Sequence, residues 1–245
     1  MTDTKTLGFI GLGVMGEPIC RNLVKKSGKR VVVFDLSAEP LQRLRADGAE
    51  VAGSVADVIK QSDVLFLCLP SAKHVRAVFE GDGILKHARA GQVVVDLGTS
   101  SVSQTRDFAG QLKAKGAAWA DAPIARTRQA AQDGTLSVMV GAVPALYAAI
   151  EPLIRCFATD VTNCGEVGAG QHLARGAVDG DLFPLAEAAG ARAHDPGAHV
   201  DVDAGGADDA GQAEPAGDHR GMARHPPALG QHGDRGVHPA DVLGQ

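Results

Sequence analysis

For most of its length the chain alternates short apolar runs with amphipathic stretches. "TLGFIGLG" is rich in small and β-favouring residues and ends in glycines, and "EPICRNLVKK" behind it has helical spacing; together they read as strand, tight turn and helix. "RVVVFD" is a second buried strand, "AEPLQRLRADG" a helix closed by Gly48, and "DVLFLCLP" a third strand stopped by Pro70. The alternation continues through "SAKHVRAVFEG" as helix, "GQVVVDLGT" as strand and "SVSQTRDFAGQLKAKG" as helix. "AAWADAPI" and "GTLSVMVGA" then read as strands, "VPALYAAIEPLIRCFA" as a helix and "DVTNCG" as a last short strand. A βαβ rhythm held over about 165 residues predicts a doubly wound α/β fold on a parallel sheet, with ligands at the carboxyl ends of its strands.

After Gln171 this pattern stops. From His172 to Gln245 there is no Lys, Ile, Ser, Thr, Asn, Cys, Trp or Tyr, and Phe183 is the sole aromatic. Gly, Ala, Asp, His, Arg and Pro dominate, and so few large apolar side chains cannot offset a backbone ordering cost of roughly 1–2 kcal/mol per residue. The expected organisation is a domain over residues 1–165, then the start of a helix and a scrambled, poorly ordered remnant over 166–245. Charge divides the same way: the net −5 is +2 over residues 1–171 and −7 over 172–245.

Composition narrows the function. Neither part has a basic stripe interleaved with aromatics, so nucleic acid is not an expected partner. No apolar run reaches bilayer length, and "MTDTKTLGFIG" lacks the features of a signal peptide, which predicts a cytoplasmic protein with no membrane partner. Cys20, Cys68, Cys156 and Cys164 show no CxxC pairing and read as reduced thiols. Seven of the nine histidines lie between His172 and His238 at irregular spacing without cysteine, and no metal site is expected.

One motif carries specific chemistry. Gly11, Gly13 and Gly16 form G-x-G-x-x-G between a strand and a helix, with Leu12, Val14 and Met15 in the variable places. Gly11 permits the tight turn, Gly13 lets a pyrophosphate reach the backbone, and Gly16 lets helix and strand pack closely. Asp35 closes the second strand, where a carboxylate accepts both ribose hydroxyls and repels a 2′-phosphate. With no Arg directly after it in "FDLSAEP", NAD is favoured over NADP.

Together "GFIGLGVMGEPICRNL", "LCLP", "VVVDLGTSS", "DAPIARTRQAAQDGTLSVMVGA" and "NCGEVGAGQ" resemble the β-hydroxyacid dehydrogenase family over residues 7–171. The family includes 3-hydroxyisobutyrate, tartronate semialdehyde and threonate-type dehydrogenases. The resemblance implies an NAD(P)-binding Rossmann domain, then a long helix into an all-helical domain that completes the substrate site and a homo-oligomer. It places Leu69 and Pro70 on the nicotinamide side, has Thr99 hydrogen-bond the cofactor, and leads from Asp121 and Pro123 into the substrate loop. Taken from the residues alone, Thr99 also reads as the N-cap of the next helix.

Two departures from the family pattern change the picture. Where many relatives carry Ser-Gly-Gly, this chain has Ala125, Arg126 and Thr127, so Arg126, with Thr127 and Arg128 beside it, is a candidate to hold a substrate carboxylate. The catalytic Lys and the Asn one turn later fall on Ala174 and Val178, neither of which can move a proton. Arg175 stays charged, and His172 is rotated by roughly 200° from the pocket side, so no catalytic residue is assigned. The expected function is an NAD-dependent oxidoreductase acting on a small carboxylate-bearing 3-hydroxy acid or semialdehyde. The alternative is a catalytically inactive dinucleotide-binding protein from a frameshifted or truncated gene. The residue types missing after Gln171 include Lys, Asn, Ile and Tyr, whose codons are rich in A and T, as expected for a GC-rich gene read out of frame. Reading the coding DNA in the other two frames checks this: a Lys-bearing amphipathic helix is expected in one of them, and its absence from both contradicts the frameshift.

Overall fold

A computed structural model of the chain describes residues 4–178. The expectations for 179–245 lie outside the described residues. The first half of the described chain is β1 (Thr6–Ile10), α1 (Gly16–Lys26), β2 (Arg30–Phe34), α2 (Ala38–Ala46), β3 (Glu50–Val51), α3 (Val55–Gln61), β4 (Val64–Leu67), α4 (Ala72–Phe79), α5 (Ile84–His87) and β5 (Val93–Asp96). It continues through α6 (Val102–Ala114), β6 (Ala118–Asp121), β7 (Ile124–Ala125), α7 (Arg128–Asp133), β8 (Leu136–Gly141), α8 (Pro144–Ile154), β9 (Ala158–Gly165) and α9 (Ala169–Val178).

The strands form one sheet in the order β3-β2-β1-β4-β5-β6-β8-β7, with β9 beside β8. From β3 to β6 every pairing is parallel, the order and direction of a Rossmann sheet. The apolar runs became the strands covered on both faces. In β4, Val64 and Phe66 point into one core with Phe9, Leu23 and Phe157, while Leu65 and Leu67 point into the other with Ile59, Phe79 and Phe108. Short polar signals set the helix starts: Ser54, Ser101 and Thr127 each accept a first-turn backbone N–H, from Asp57, Gln104 and Ala130.

The structure adds to and corrects the sequence reading in four places. The two-residue β3 and seven-residue α3 lie in a stretch too short to show a period, and β7 and α7 fall inside the expected substrate loop. The sheet is not wholly parallel, because β8 runs antiparallel to β6 and β7. Between β6 and β8 the only helix is the six-residue α7, which does not make the full crossover that a parallel return needs. The helix N-cap at α6 is Ser101, not Thr99.

Trp119 is the chain's one tryptophan and packs on Phe79 and Phe108, whose rings stack with centroids 3.9 Å apart. Phe108→Ala opens this cluster and should cost about 3–5 kcal/mol. Urea unfolding followed by Trp119 emission measures it, and a loss below about 1 kcal/mol would mean that the cluster collapses around the gap.

Candidate functional site

The parallel strands end along one edge, and the order of connection reverses between β1 and β4, the switch point where such sheets bind ligands. The glycine turn fills this point. Gly11 has φ +95° and donates to Phe34 O at 3.2 Å, and a Cβ on it would collide with the Cys68 carbonyl. A Cβ on Gly16 would collide with the Gly11 carbonyl, so α1 begins against the turn. At Gly13 an added Cβ meets nothing within 4 Å. This is an open cradle, backed by a helix N-terminus with no side-chain cap; the Glu17 N–H is taken by the Gly13 carbonyl and Pro18 has none, so the backbone N–H groups of the turn up to Gly16 are the ones that suit an anion. Glu17, the acid in that first turn, is paired with Arg21 and Arg43 at 2.8 Å. Leu12 is buried and Met15 partly so, whereas Val14 is 66% exposed over the cradle.

Asp35 stands at the end of β2. Its Oδ2 accepts the Leu12 N–H at 2.5 Å and its Oδ1 the Ser37 N–H at 2.8 Å, so it shapes the local turn and ties the glycine loop to the next strand. Leu36 beside it is 67% exposed, an apolar surface that the sequence reading did not single out. Across the edge, Leu69 lies over Gly11 and Pro70 is exposed beyond it. Thr99, after β5, is exposed and makes no side-chain hydrogen bond among the described residues. Asp35, the glycine turn, Leu69 with Pro70, and Thr99 thus follow β2, β1, β4 and β5 in order. At about 4.8 Å per strand they span roughly 14 Å.

Beneath Thr99 lies a polar network that sequence reading missed. Asp96 and Asp121 are register partners at the ends of β5 and β6, and both are fully buried. Asp96 accepts the Gly98 N–H and the Ser100 hydroxyl, each at 3.0 Å. Burial pushes its carboxyl up to about 7, against those two hydrogen bonds and with help from the Asp121 charge. Asp121 accepts the backbone N–H of Gly168 at 2.6 Å and of Gln171 at 2.8 Å, so it caps α9 from below; burial also raises its pKa. The Gln171 side chain is fully buried, donates to Gly98 O at 2.7 Å and accepts the Ser100 N–H at 2.9 Å. The available signal was an Asp closing an apolar strand, as Asp35 also does, here followed by Gly98. Cys68 lies close by, but burial lifts its thiol to about 12 and it stays protonated.

The expected substrate loop is differently employed. Arg126 has φ +90°, the one non-glycine in that region among the described residues, and such a conformation costs on the order of 1–3 kcal/mol. Its guanidinium pairs with Asp160, Thr159 and the Thr135 carbonyl, so it is held inside the chain. Thr127 caps α7, and Arg128 is exposed. On α9, Gln171 and Ala174 share the buried face, and His172, Leu173 and Arg175 face outward.

Residues 6–165 match the family model described as the NAD binding domain of 6-phosphogluconate dehydrogenase. The chain belongs to that family. It is 36% identical over 172 residues to the mitochondrial 3-hydroxyisobutyrate dehydrogenase of Rattus norvegicus, covering 70% of this chain and 51% of that protein. To the 2-(hydroxymethyl)glutarate dehydrogenase of Eubacterium barkeri it is 38% identical over 171 residues, 69% of this chain and 56% of the other. Among solved structures, 3-hydroxyisobutyrate dehydrogenase of Mycobacterium tuberculosis with L-serine matches with a TM-score of 0.66 at 30% identity. That match covers 78% of this chain and 68% of the other. The resemblance to β-hydroxyacid dehydrogenases and the Rossmann-type fold are both borne out. The chain spans about half the length of the curated relatives it matches.

Two outcomes follow for this NAD-binding-domain fold. Gly13→Ala should unfold at the temperature of the unaltered chain, because its methyl meets open space, whereas Gly16→Ala should melt several degrees lower; equal melting curves contradict the packing described. For Asp96, the folded chain keeps a proton that the unfolded chain releases. Stability therefore falls as pH rises from about 4 to about 7, the interval between the ordinary and the raised value. Asp96→Asn should flatten that slope in urea midpoints, and an unchanged slope would place its origin elsewhere.

Proposed function

We propose that the chain binds NAD along the strand edge, with the adenine ribose at Asp35, the pyrophosphate over Gly13 and the nicotinamide beside Leu69, Pro70 and Thr99. The open cradle at Gly13 carries this reading, since it is the one place on the motif where a Cβ finds no protein neighbour and a helix N-terminus faces it. Exposed Val14 and Leu36 give the adenosine half and the pyrophosphate apolar cover. Asp35 supports NAD over NADP, because its carboxylate accepts ribose hydroxyls and repels a 2′-phosphate.

On the strength of its relatives' chemistry, the chain is an oxidoreductase of the 3-hydroxyacid dehydrogenase type. When bound, the nicotinamide accepts or returns hydride, and the substrate is a small carboxylate-bearing 3-hydroxy acid or semialdehyde. The protein's part is to orient the ring through the Leu69–Pro70 and Thr99 segments, and Arg126, if it exchanges Asp160 for a substrate carboxylate, to hold the acid. Residues 1–165 form the cofactor domain in this reading, and the start of α9 is held against it through Asp121 and Gln171. A second reading, dinucleotide binding without turnover, rests on Ala174. A methyl cannot relay the hydroxyl proton, and losing a positioned acid–base group costs about 10²–10⁴ in rate. None of the comparisons carries that reading.

NAD-linked oxidation of 3-hydroxyisobutyrate and 2-(hydroxymethyl)glutarate, assayed with NADH binding on the same preparation, separates the two. Turnover establishes the first reading, binding without turnover the second, and absence of both contradicts the site. Asp35→Ala should weaken NADH binding about tenfold or more while leaving NADPH nearly unchanged, so the preference narrows. Unaltered NADH affinity would remove Asp35 from the ribose.

A further inference from the structure

The buried polar network beneath Thr99 joins two segments that the chain keeps 70 residues apart. One is the turn after β5, where Gly98 and Ser100 flank Thr99. The other is the first turn of α9, which carries position 174. Gln171 is the side chain between them: its amide nitrogen holds the Gly98 carbonyl at 2.7 Å and its amide oxygen takes the Ser100 N–H at 2.9 Å. Both backbone partners flank Thr99 directly, so the amide grips the turn on either side of the exposed hydroxyl. The turn is held from below as well, by Asp96 through Gly98 N–H and the Ser100 hydroxyl. Gln171 is in turn fixed by its own backbone N–H on Asp121 at 2.8 Å.

A buried glutamine is costly unless its amide is satisfied, and this one bonds through both ends to a single turn. A larger hydrophobic side chain would fill the same space without fixing the turn. We infer that Gln171 is a positioning residue: by clamping Gly98 and Ser100 it sets Thr99 at the height and angle needed by the nicotinamide half of the dinucleotide, and makes the start of α9 part of the cofactor site. The inference rests on the dinucleotide reading above and assigns no proton transfer to Gln171. It also separates the two halves of the ligand. The adenosine and pyrophosphate partners, Asp35 and the glycine turn, lie on β2 and β1, two or more strands from the clamp.

That separation supplies the test. NADH and ADP-ribose, which shares the adenosine and pyrophosphate but lacks nicotinamide, are titrated calorimetrically into the full chain and into Gln171→Met, whose side chain has similar length and no amide. NADH affinity should fall about tenfold, the loss expected from freeing one well-made hydrogen-bonded contact, while ADP-ribose affinity stays within about twofold. Thr99→Ala should weaken NADH in the same way, and the double variant should lose less than the sum of the two, because Gln171 acts through the turn that carries Thr99. If Gln171→Met does not fold, Gln171→Glu, which keeps an acceptor for Ser100 N–H and loses the donor to Gly98, is titrated with the same two ligands and the same expectation. Unchanged NADH affinity, equal losses for both ligands, or additive losses in the double variant would overturn the inference. Failure of the unaltered chain to bind either ligand would instead overturn the dinucleotide reading itself, and the inference with it.

Discussion

Two close backbone approaches at the end of β1 govern the rest of the site. Where β1 ends, the Gly11 backbone passes the Cys68 carbonyl of the neighbouring strand, and Gly16 passes the Gly11 carbonyl, both at distances no side chain permits. Those two contacts turn the chain sharply enough for α1 to start on top of the sheet with no side chain capping its first turn. They also leave the Gly13 backbone open between β1 and β4. Had either glycine been any other residue, the helix would stand away from the strand and its amides would no longer converge. The long apolar strands supply the rigid floor that makes this spacing reproducible, with Phe9 and Phe66 packed on one face and Leu65 and Phe79 on the other.

Electrostatics completes the edge on its far side. Two buried carboxylates on adjacent strands are expensive, and the chain offsets the cost with backbone donors: Gly98 N–H and the Ser100 hydroxyl on Asp96, Gly168 and Gln171 N–H on Asp121. The glycines around Asp121 are needed for the same reason, because a Cβ at Gly141 or Gly170 would press into its carboxylate or into the Met139 carbonyl. Acid groups placed for ligand contact would be exposed; these hold loops. Asp35, by contrast, is only partly buried, with its oxygens on the Leu12 and Ser37 N–H groups.

Much of this was legible in the residues. Apart from the short β3, α3 and α5, the order of strands and helices from β1 to β6 follows from apolar runs separated by amphipathic ones, and the glycine turn from its position between a strand and a helix. What escaped was set by long-range contact. The antiparallel β8 depends on how little helix separates it from β6, and no local period reports that. The network of Asp96, Ser100 and Gln171 joins residues about 70 apart, so its members look like ordinary strand-end and helix-start residues until the fold brings them together. Arg126 was legible as a guanidinium in a loop where glycine is usual. Its pairing with Asp160, and the left-handed backbone it accepts in that place, were not.

The central claim is that one dinucleotide lies along the strand edge from β2 to β5. A crystal structure of the chain grown with NAD tests it most directly. The account predicts ribose hydroxyls on the Asp35 carboxylate, pyrophosphate oxygens against the Gly13 backbone and α1 amides, and the nicotinamide within reach of Thr99. A dinucleotide bound in the opposite direction, or seated away from the glycine turn, would contradict it.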